Sequence, residues 1–184
     1  MAFAVKLPCM ASVLIVYSTT DGHTRRICDR LRGILAASAH QVTLVPVAQA
    51  QDAELDRYDT IVVGASIRYG RHRPAVVDFI ERNAPVLNRK ASAFFSVNIV
   101  ARKPAKNQPH SNPYVRKLLG KIEWRPREVG VFAGKLDYPH YGFLDRTVIR
   151  FIMLLTGGPT DPKTVVEFTD WRQVEAFGAL IAKM

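Results

Sequence analysis

The sequence contains few cysteines and no long apolar run, and these absences narrow the class of protein. Its 184 residues include only Cys9 and Cys28, which provide neither a disulfide framework nor thiolate metal-ligand spacing and are typical of a reducing compartment. The longest apolar candidate, residues 148–155, is interrupted by Arg150 and is too short to cross a bilayer. The five histidines form no i,i+4 pair, so we expect neither a membrane-spanning helix nor a metal site.

Acidic side chains are scarce relative to basic ones. Subtracting 16 Asp and Glu from 26 Lys and Arg leaves a net charge of +10, which attracts polyanions, anionic lipid or an acidic substrate without selecting among them. A composition of 48% hydrophobic and 23% charged residues predicts a single globular domain, which we place at residues 12–184. Residues 1–11 lack the features of a secretion signal, and we interpret them as an N-terminal extension.

Strand-like and helix-like segments alternate along this domain. Helical stripes of apolar residues follow the first strand, begin again at Pro74, and close the chain between Trp171 and Lys183, where Leu180 is expected to face inward. This alternation predicts an α/β fold in which helices cover both faces of a parallel sheet. The short, β-branched runs that predict its five strands are residues 12–17, 42–47, 60–64, 92–97 and 129–133.

The loop after the first predicted strand has the composition of a phosphate-binding turn. Residues 18–24 read STTDGHT and supply hydroxyl groups, backbone N–H groups and Gly22, so they can wrap a phosphate without a lysine. Neither G-x-x-x-x-G-K-(S/T) nor G-x-G-x-x-G occurs, which argues against a nucleoside triphosphate or a dinucleotide and favours the phosphate of FMN. A helix N-cap rich in Ser and Thr is the alternative interpretation.

Two further loops follow the third and fourth predicted strands, at residues 65–70 and 98–102. The carboxyl ends of parallel strands share one edge of a sheet, so we expect all three loops to converge on one site. Tyr69 is a candidate to stack on a flavin ring, although a tyrosine near a strand end is more often a packing residue. Arg68 is a candidate to polarise the ring or to hold a substrate, and an ordinary surface arginine is the alternative.

Several short blocks point to a more specific relationship. In chain order they are STTDGHT at 18–24, GASIRYG at 64–70, SVNIVARKP at 96–104, WRP at 124–126, DR at 145–146, TGGPTD at 156–161 and TDW at 169–171. Over residues 12–182 this series resembles the menaquinone-dependent protoporphyrinogen IX dehydrogenase (oxidase) family, which is flavodoxin-like. The resemblance implies a doubly wound sheet with strand order 2-1-3-4-5 and a long basic insert after the fourth strand, at about residues 98–127.

The resemblance also implies a function. The expected reaction is the FMN-dependent oxidation of protoporphyrinogen IX to protoporphyrin IX in haem biosynthesis, with electrons passed to a membrane quinone, either menaquinone or ubiquinone. It implies a peripheral protein on the cytoplasmic side of the inner membrane and leaves a homo-oligomer open. Because the flavin accepts the hydride, no catalytic base is expected, and Arg68 and Tyr69 are the catalytic candidates. The implied cofactor residues are Ser18, Thr19, Thr20, Gly22, His23, Thr24, Ser66, Ile67, Arg68, Tyr69, Gly70, Asn98, Ile99, Val100, Ala101 and Arg102.

Basic residues concentrate in the insert. Between residues 98 and 127 eight Lys and Arg face only Glu123, which gives +7 of the total charge of +10. Such a run can grip the propionates of the porphyrinogen or hold an anionic membrane surface, and a merely solvated face is the alternative. The residues expected to contact substrate or membrane are Arg102, Lys103, Arg116, Lys117 and Lys121.

Three further features raise separate expectations. Asp21 brings a carboxylate close to a dianionic phosphate, and we expect Arg25 and Arg26 to offset it unless Asp21 caps the helix and points away. His72 lies beside the second loop and is a candidate proton shuttle. Residues 143–156 mix apolar and charged side chains, which is typical either of an interfacial membrane helix or of a helix packed on the core.

Two other classes of function compete with the enzyme. A flavodoxin that only carries electrons between proteins is the first alternative, but such carriers are typically acidic and a basic chain with a long insert matches them poorly. Nucleic-acid binding would be favoured by aromatic residues interleaved with the basic ones, and the insert offers only Tyr114 and Trp124. The sequence therefore favours the porphyrinogen-oxidising enzyme, with no nucleic-acid partner.

Overall fold

A parallel sheet of five strands organises the chain, whose computed structural model describes residues 10–51 and 53–184. In spatial order β2-β1-β3-β5-β6, these strands are β2 (Gln41–Pro46), β1 (Ser12–Ser18), β3 (Thr60–Arg68), β5 (Ala91–Val97) and β6 (Glu128–Phe132). A sixth strand of the same sheet, β4 (Arg71–His72), pairs antiparallel with the end of β3. With β4 set aside, the order is the predicted 2-1-3-4-5, and the predicted flavodoxin-like fold is confirmed. Cys9 and nearly all of the predicted N-terminal extension lie outside the described residues.

Helices cover both faces of the sheet because successive strand residues point to opposite sides. On one face Val13 belongs to the same buried cluster as Leu31 and Phe177. On the other face Leu14 belongs to a cluster with Phe79. The helices are α1 (His23–Ala37), α2 (Pro74–Arg89), α3 (Pro113–Leu119), α4 (Phe143–Leu155) and α5 (Trp171–Ile181). Helices α1 and α5 supply the first cluster, and α2 and α3 supply the second.

Some predicted boundaries differ from the structure. Strand β3 runs to Arg68 instead of ending at residue 64, because its last residues continue to pair with β1, β5 and β4. The unassigned stretch after β6 contains an antiparallel ribbon of β7 (Lys135–Asp137) and β8 (Val165–Glu167), with α4 between its strands. Leu180, expected to face inward, is 45% exposed, since Ile181 takes the buried position next to it.

The insert between β5 and β6 is part of the core as well as of the surface. Its apolar side chains Val115, Leu118, Ile122 and Trp124 are buried against the sheet. The indole Nε1 of Trp124 donates a hydrogen bond to Ser92 Oγ at 2.9 Å. The insert thus covers one face of the sheet at its far edge, while most of its basic side chains remain exposed.

A chain of buried polar groups connects the insert with the β4 hairpin. His72 Nε2 lies 3.1 Å from Ser96 Oγ, to which Asn98 donates at 3.3 Å. Asn112 in turn donates to Asn98 Oδ1 at 3.2 Å. Burial lowers the pKa of His72 to about 4, so the imidazole is neutral at neutral pH.

The lowered pKa of His72 predicts a loss of stability in acid. The unfolded chain takes up a proton near the ordinary histidine pKa of about 6.5, whereas the folded chain resists it down to about 4, so stability is lost as pH falls through that window. We expect this group to cost about 3 kcal/mol of unfolding free energy between pH 7 and pH 4. In urea unfolding followed by circular dichroism, His72→Gln should be less sensitive to acid by about that amount.

An exposed histidine provides the matched control for this measurement. His110→Gln removes an exposed histidine from the surface of the insert, and the acid sensitivity of His72→Gln is compared with that of this variant and of the unmodified chain. Equal acid sensitivity of His72→Gln and the unmodified chain would contradict the assignment.

Candidate active site

A cavity of about 550 Å³ opens at the carboxyl edge of the sheet, where β1, β3 and β5 end. Its volume lies in the range of roughly 300–1,000 Å³ that is usual for small-molecule and cofactor sites. The structure brings together the three loops that the sequence singled out. Their residues in the wall are Thr19, Thr20, Asp21, His23, Thr24, Ser66, Ile67, Arg68, Tyr69, Gly70, Asn98, Ile99 and Val100.

The first loop presents polar groups without partners. Ser18 is 4% exposed, and neither its Oγ nor Thr19 Oγ1 has a hydrogen-bond partner among the residues that the structure describes. No side chain caps α1, whose N-cap is Gly22 with φ 77°, so the alternative of an ordinary Ser/Thr N-cap is wrong. Unpaired hydroxyls beside the free N–H groups of a helix N-terminus suit an oxyanion such as phosphate.

Arg68 balances the carboxylate of this loop. Its Nη1 donates to Asp21 Oδ2 at 2.9 Å, and its Nη2 pairs with Asp145 in the first turn of α4. The Arg68 side chain is 16% exposed. Partial burial reduces the screening of both ion pairs by water, so Arg68 holds the first loop, the second loop and α4 in one arrangement.

The arginines expected to offset Asp21 do not contact it. Arg25 pairs with Asp29 one turn further along α1, at 3.1 Å. Arg26 pairs with Glu167 of β8 at 2.6 Å. The expectation is therefore wrong, because Arg25 also donates to the Tyr17 hydroxyl at 2.7 Å and Arg26 reaches to β8, and among the described residues it is Arg68 that pairs with Asp21.

Aromatic rings flank the second loop. Tyr69 is 53% exposed, adopts a positive φ of 50°, and donates its hydroxyl hydrogen bond to Asp145. The guanidinium of Arg68 lies 5.4 Å from the ring centroids of both Tyr69 and Tyr141. A planar ring entering here meets exposed aromatic surface close to a fixed positive charge.

The third loop divides into residues that face the cavity and residues that do not. Ile99 and Val100 line it, as does Asn98, whose Oδ1 accepts from the Ala101 backbone at 3.0 Å. Ala101 and Arg102, both predicted to bind cofactor, are not among the lining residues. Arg102 Nη2 donates at 3.0 Å to the carbonyl oxygen of Thr156, beyond α4. Desolvation lowers the pKa of Arg102 from its ordinary value.

The remaining predicted contacts lie elsewhere on the surface. None of Lys103, Arg116, Lys117 and Lys121 lines the cavity. His72 is also absent from its wall. The buried position of His72 beneath Ser96 therefore does not support the proton-shuttle hypothesis.

A fourth wall was missed by sequence reasoning. It comes from β7, the turn after it, and the inner face of α4, and its residues are Gly134, Lys135, Leu136, Asp137, His140, Tyr141, Ile149, Ile152 and Met153. Asp137 accepts from Lys135 Nζ at 2.6 Å and pairs with His140 Nδ1 at 2.7 Å, and these contacts lower the pKa of its carboxyl group. A three-residue strand carries too little periodicity to be read from sequence, although the apolar spacing of residues 149–153 was a usable signal.

His23 links the first loop to the start of α5. Its Nε2 lies 2.6 Å from Thr169 Oγ1, and its ring lies edge-on to Trp171 with 6.2 Å between centroids. Burial lowers the pKa of His23. The T-D-W block at 169–171 is thereby explained as the contact that fixes this histidine beside the cavity.

The arrangement suits a planar ring that carries a phosphate. The hydroxyls of the first loop and the α1 N-terminus have the chemistry that suits an anion, and the tyrosines and aliphatic side chains offer an apolar end. FMN, the predicted cofactor, has these two parts. Within the described ranges 10–51 and 53–184, the His, Cys, Asp and Glu side chains form no cluster of three or more that could hold a metal ion.

Comparisons with known proteins agree with this geometry. A flavodoxin-domain family model matches residues 14–163. The chain is 43% identical over 171 residues to the protoporphyrinogen IX dehydrogenase (quinone) of Escherichia coli strain K12. The aligned region covers 93% of this chain and 94% of that protein. It is 42% identical over 172 residues to the protein of the same name from Leishmania major. That aligned region covers 93% of this chain and 74% of the Leishmania protein.

Among solved structures, oxidised flavodoxin 1 from Bacillus cereus superposes with a TM-score of 0.56 at 16% identity, over 94% of this chain and 98% of that one, which supports the fold alone. The flavodoxin-domain match over residues 14–163 and the 43% identity over 93% of the chain indicate the same family. The chain therefore belongs to the flavodoxin-domain family, within the group of the protoporphyrinogen IX dehydrogenases (quinone).

Proposed function

We propose that this chain is an FMN enzyme that oxidises protoporphyrinogen IX to protoporphyrin IX and passes the electrons to a quinone. The observation that carries the proposal is the identity of 43%, over 93% of this chain, to the enzyme of that name from Escherichia coli. The cavity supports it independently, because an anion-binding loop and an aromatic wall meet at the edge of the sheet where cofactors bind in this fold class.

The cofactor residues have distinct roles in this proposal. Ser18, Thr19 and the N-terminus of α1 would hold the phosphate, whose oxygens would accept hydrogen bonds from the two unpartnered hydroxyls. Tyr69 and the side chains of the third loop border the ring. When bound, FMN supplies a two-electron acceptor, so the chain itself needs to provide position and electrostatics rather than an acid or base.

Arg68 and Tyr69 are the residues that we propose act on turnover. Arg68 sets the charge beside the ring and fixes Tyr69 through their common partner Asp145. Six electrons leave the porphyrinogen in forming the porphyrin, so three rounds of two-electron transfer and three quinones are required. The flavin and the porphyrinogen would therefore have to meet in the same geometry three times. A wall fixed by Arg68 and Tyr69 would provide that geometry.

The basic insert serves an anionic partner in this proposal. Lys103, Arg116, Lys117 and Lys121 lie outside the cavity wall, which favours the membrane surface over the porphyrinogen propionates. Arg102 is bonded to the chain itself and contributes less to either. We place the protein peripherally on the cytoplasmic side of the inner membrane, where menaquinone or ubiquinone is the acceptor.

An anaerobic assay tests the function directly. The flavin-loaded protein is mixed with protoporphyrinogen IX and a quinone in the absence of oxygen, and porphyrin fluorescence is followed. The expected result is quinone-dependent porphyrin formation with three quinones reduced per porphyrin. A flavin that cycles only with a redox protein, and never with the porphyrinogen, would support the electron-carrier alternative.

The first loop predicts a specific loss of FMN affinity. Gly22 has φ 77° and open space around its missing Cβ, so Gly22→Val strains the turn and places a branched side chain where the phosphate approaches. We expect FMN to bind about tenfold more weakly or worse, which corresponds to roughly 1.4 kcal/mol. Gly157→Val is the matched control, since Gly157 has φ 66° and open space but lies after α4. Equal FMN affinity in the two variants would remove Gly22 from the site.

The ion pairs of Arg68 predict a separable effect on turnover. Arg68→Ala leaves Asp21 unbalanced beside the phosphate and frees Asp145, so both FMN affinity and turnover per bound flavin should fall, turnover by about tenfold. Adding Asp21→Asn should restore FMN affinity without restoring turnover. Flavin titration and the anaerobic assay measure the two quantities. Normal turnover per bound flavin in Arg68→Ala would contradict the role.

A further inference from the structure

Helix α4 exposes an apolar face beside the cavity. Of its thirteen residues only Met153 is buried. The large apolar side chains that it leaves exposed are Phe143 at 82%, Leu144 at 76%, Val148 at 41%, Phe151 at 61%, Leu154 at 67% and Leu155 at 69%. Their spacing of three, four and seven residues places them along one side of the helix. A contiguous exposed face of this kind marks an interaction surface rather than the scattered exposure usual for soluble proteins.

The charge on this face selects its partner. The other exposed residues of α4 are Thr147 and Arg150, so the face contains no acidic side chain. The one acidic residue of the helix, Asp145, is turned to Arg68. The whole chain carries +10, so two copies would repel each other across such a face, whereas an anionic surface attracts it.

We propose that the outer face of α4 lies in the interface of an anionic lipid bilayer, with its apolar side chains among the acyl chains. An amphipathic helix with an apolar face and basic surroundings binds membranes in this way. The start of the basic insert lies next to this contact, because Arg102 bonds to Thr156 just after α4. In the proposal the exposed basic side chains of the insert add electrostatic attraction to the apolar insertion by α4.

The position of α4 connects this contact with the redox site. The inner side of the helix supplies Ile149, Ile152 and Met153 to the cavity wall. One helix therefore lies between the cavity and the proposed bilayer, which would bring a lipid-soluble quinone close to the redox site. This consequence rests on the proposed function, but the lipid contact itself does not. None of the helices within residues 10–51 and 53–184 combines the length and the apolar character of a membrane span.

Neutral substitutions on α4 test the proposal. Phe151→Gln with Leu154→Gln removes two exposed apolar side chains without changing charge, and neither residue lines the cavity. We expect the FMN-loaded double variant to bind vesicles of phosphatidylglycerol and phosphatidylethanolamine at least about tenfold more weakly than the unmodified chain. Leu180→Gln on α5, which is also exposed at 45%, is the matched control and should bind normally.

A salt series separates the helix from the insert. Replacing Arg116, Lys117 and Lys121 with Glu should weaken vesicle binding mainly at low salt, since electrostatic attraction is screened at about 0.5 M. The loss caused by the α4 double variant should persist at high salt. Both variants should keep the flavin spectrum, and the α4 variant should keep its turnover with a water-soluble quinone while losing it with a vesicle-embedded quinone.

A second variant tests the lipid contact even if the double variant misfolds. Phe151→Trp keeps an exposed aromatic side chain, and brominated lipids should quench its fluorescence, whereas they should not quench Leu180→Trp. Unchanged vesicle binding by the double variant, or absence of quenching in Phe151→Trp, would overturn the proposal. The proposal would also be overturned if the unmodified chain formed a dimer and bound no vesicles, and if the double variant were a monomer. Failure of porphyrinogen oxidation with vesicle binding as expected would overturn the proposed function and leave the lipid contact standing.

Discussion

One guanidinium group determines the geometry of the site. Arg68 stands at the end of β3 and bonds to Asp21 in the loop after β1 and to Asp145 in α4, which is 77 residues away in sequence. Without this cation the carboxylate of Asp21 would lie unbalanced in the loop proposed to hold a phosphate, and the carboxylate of Asp145 would lose its charged partner. The phosphate loop, the ring-binding loop and the membrane-proximal helix consequently depend on the same side chain.

The sequence predicted the parts of this structure that rest on local pattern. The five parallel strands and their order were recovered because β-branched runs, helical stripes and the family resemblance all indicated the same fold. The three cavity loops followed from the rule that carboxyl ends of parallel strands share an edge. The fourth wall could not be predicted, because β7 has three residues and its position depends on long-range pairing with β8. The pairing of Asp145 with Arg68 is likewise invisible to any local pattern.

The basic insert shows why charge alone was ambiguous in the sequence. Buried and exposed positions alternate in the insert, since Val115, Leu118 and Trp124 pack against the sheet while Arg116 and Lys117 are exposed to solvent. A count of charges detects only the exposed positions. The packed side chains make the insert part of the fold, and the exposed ones leave its charge free for a partner without altering the cavity.

Helix α4 is unusual because little of its apolar surface is buried, so hydrogen bonds from charged side chains help to hold it in place. A helix is normally held by packing its apolar stripe on the core, but α4 buries only Met153 and leaves most of its large apolar side chains outside. Charged hydrogen bonds add to the small apolar cluster in which Met153 and Ile149 pack. Asp145 bonds to Arg68 near its start, Arg146 Nε donates to the Tyr138 carbonyl at 3.1 Å, and Thr156 after its end accepts from Arg102. Two of these arginines, Arg68 and Arg102, were predicted from the sequence to contact cofactor or substrate. Their observed partners show that they position a helix whose apolar face is directed away from the core.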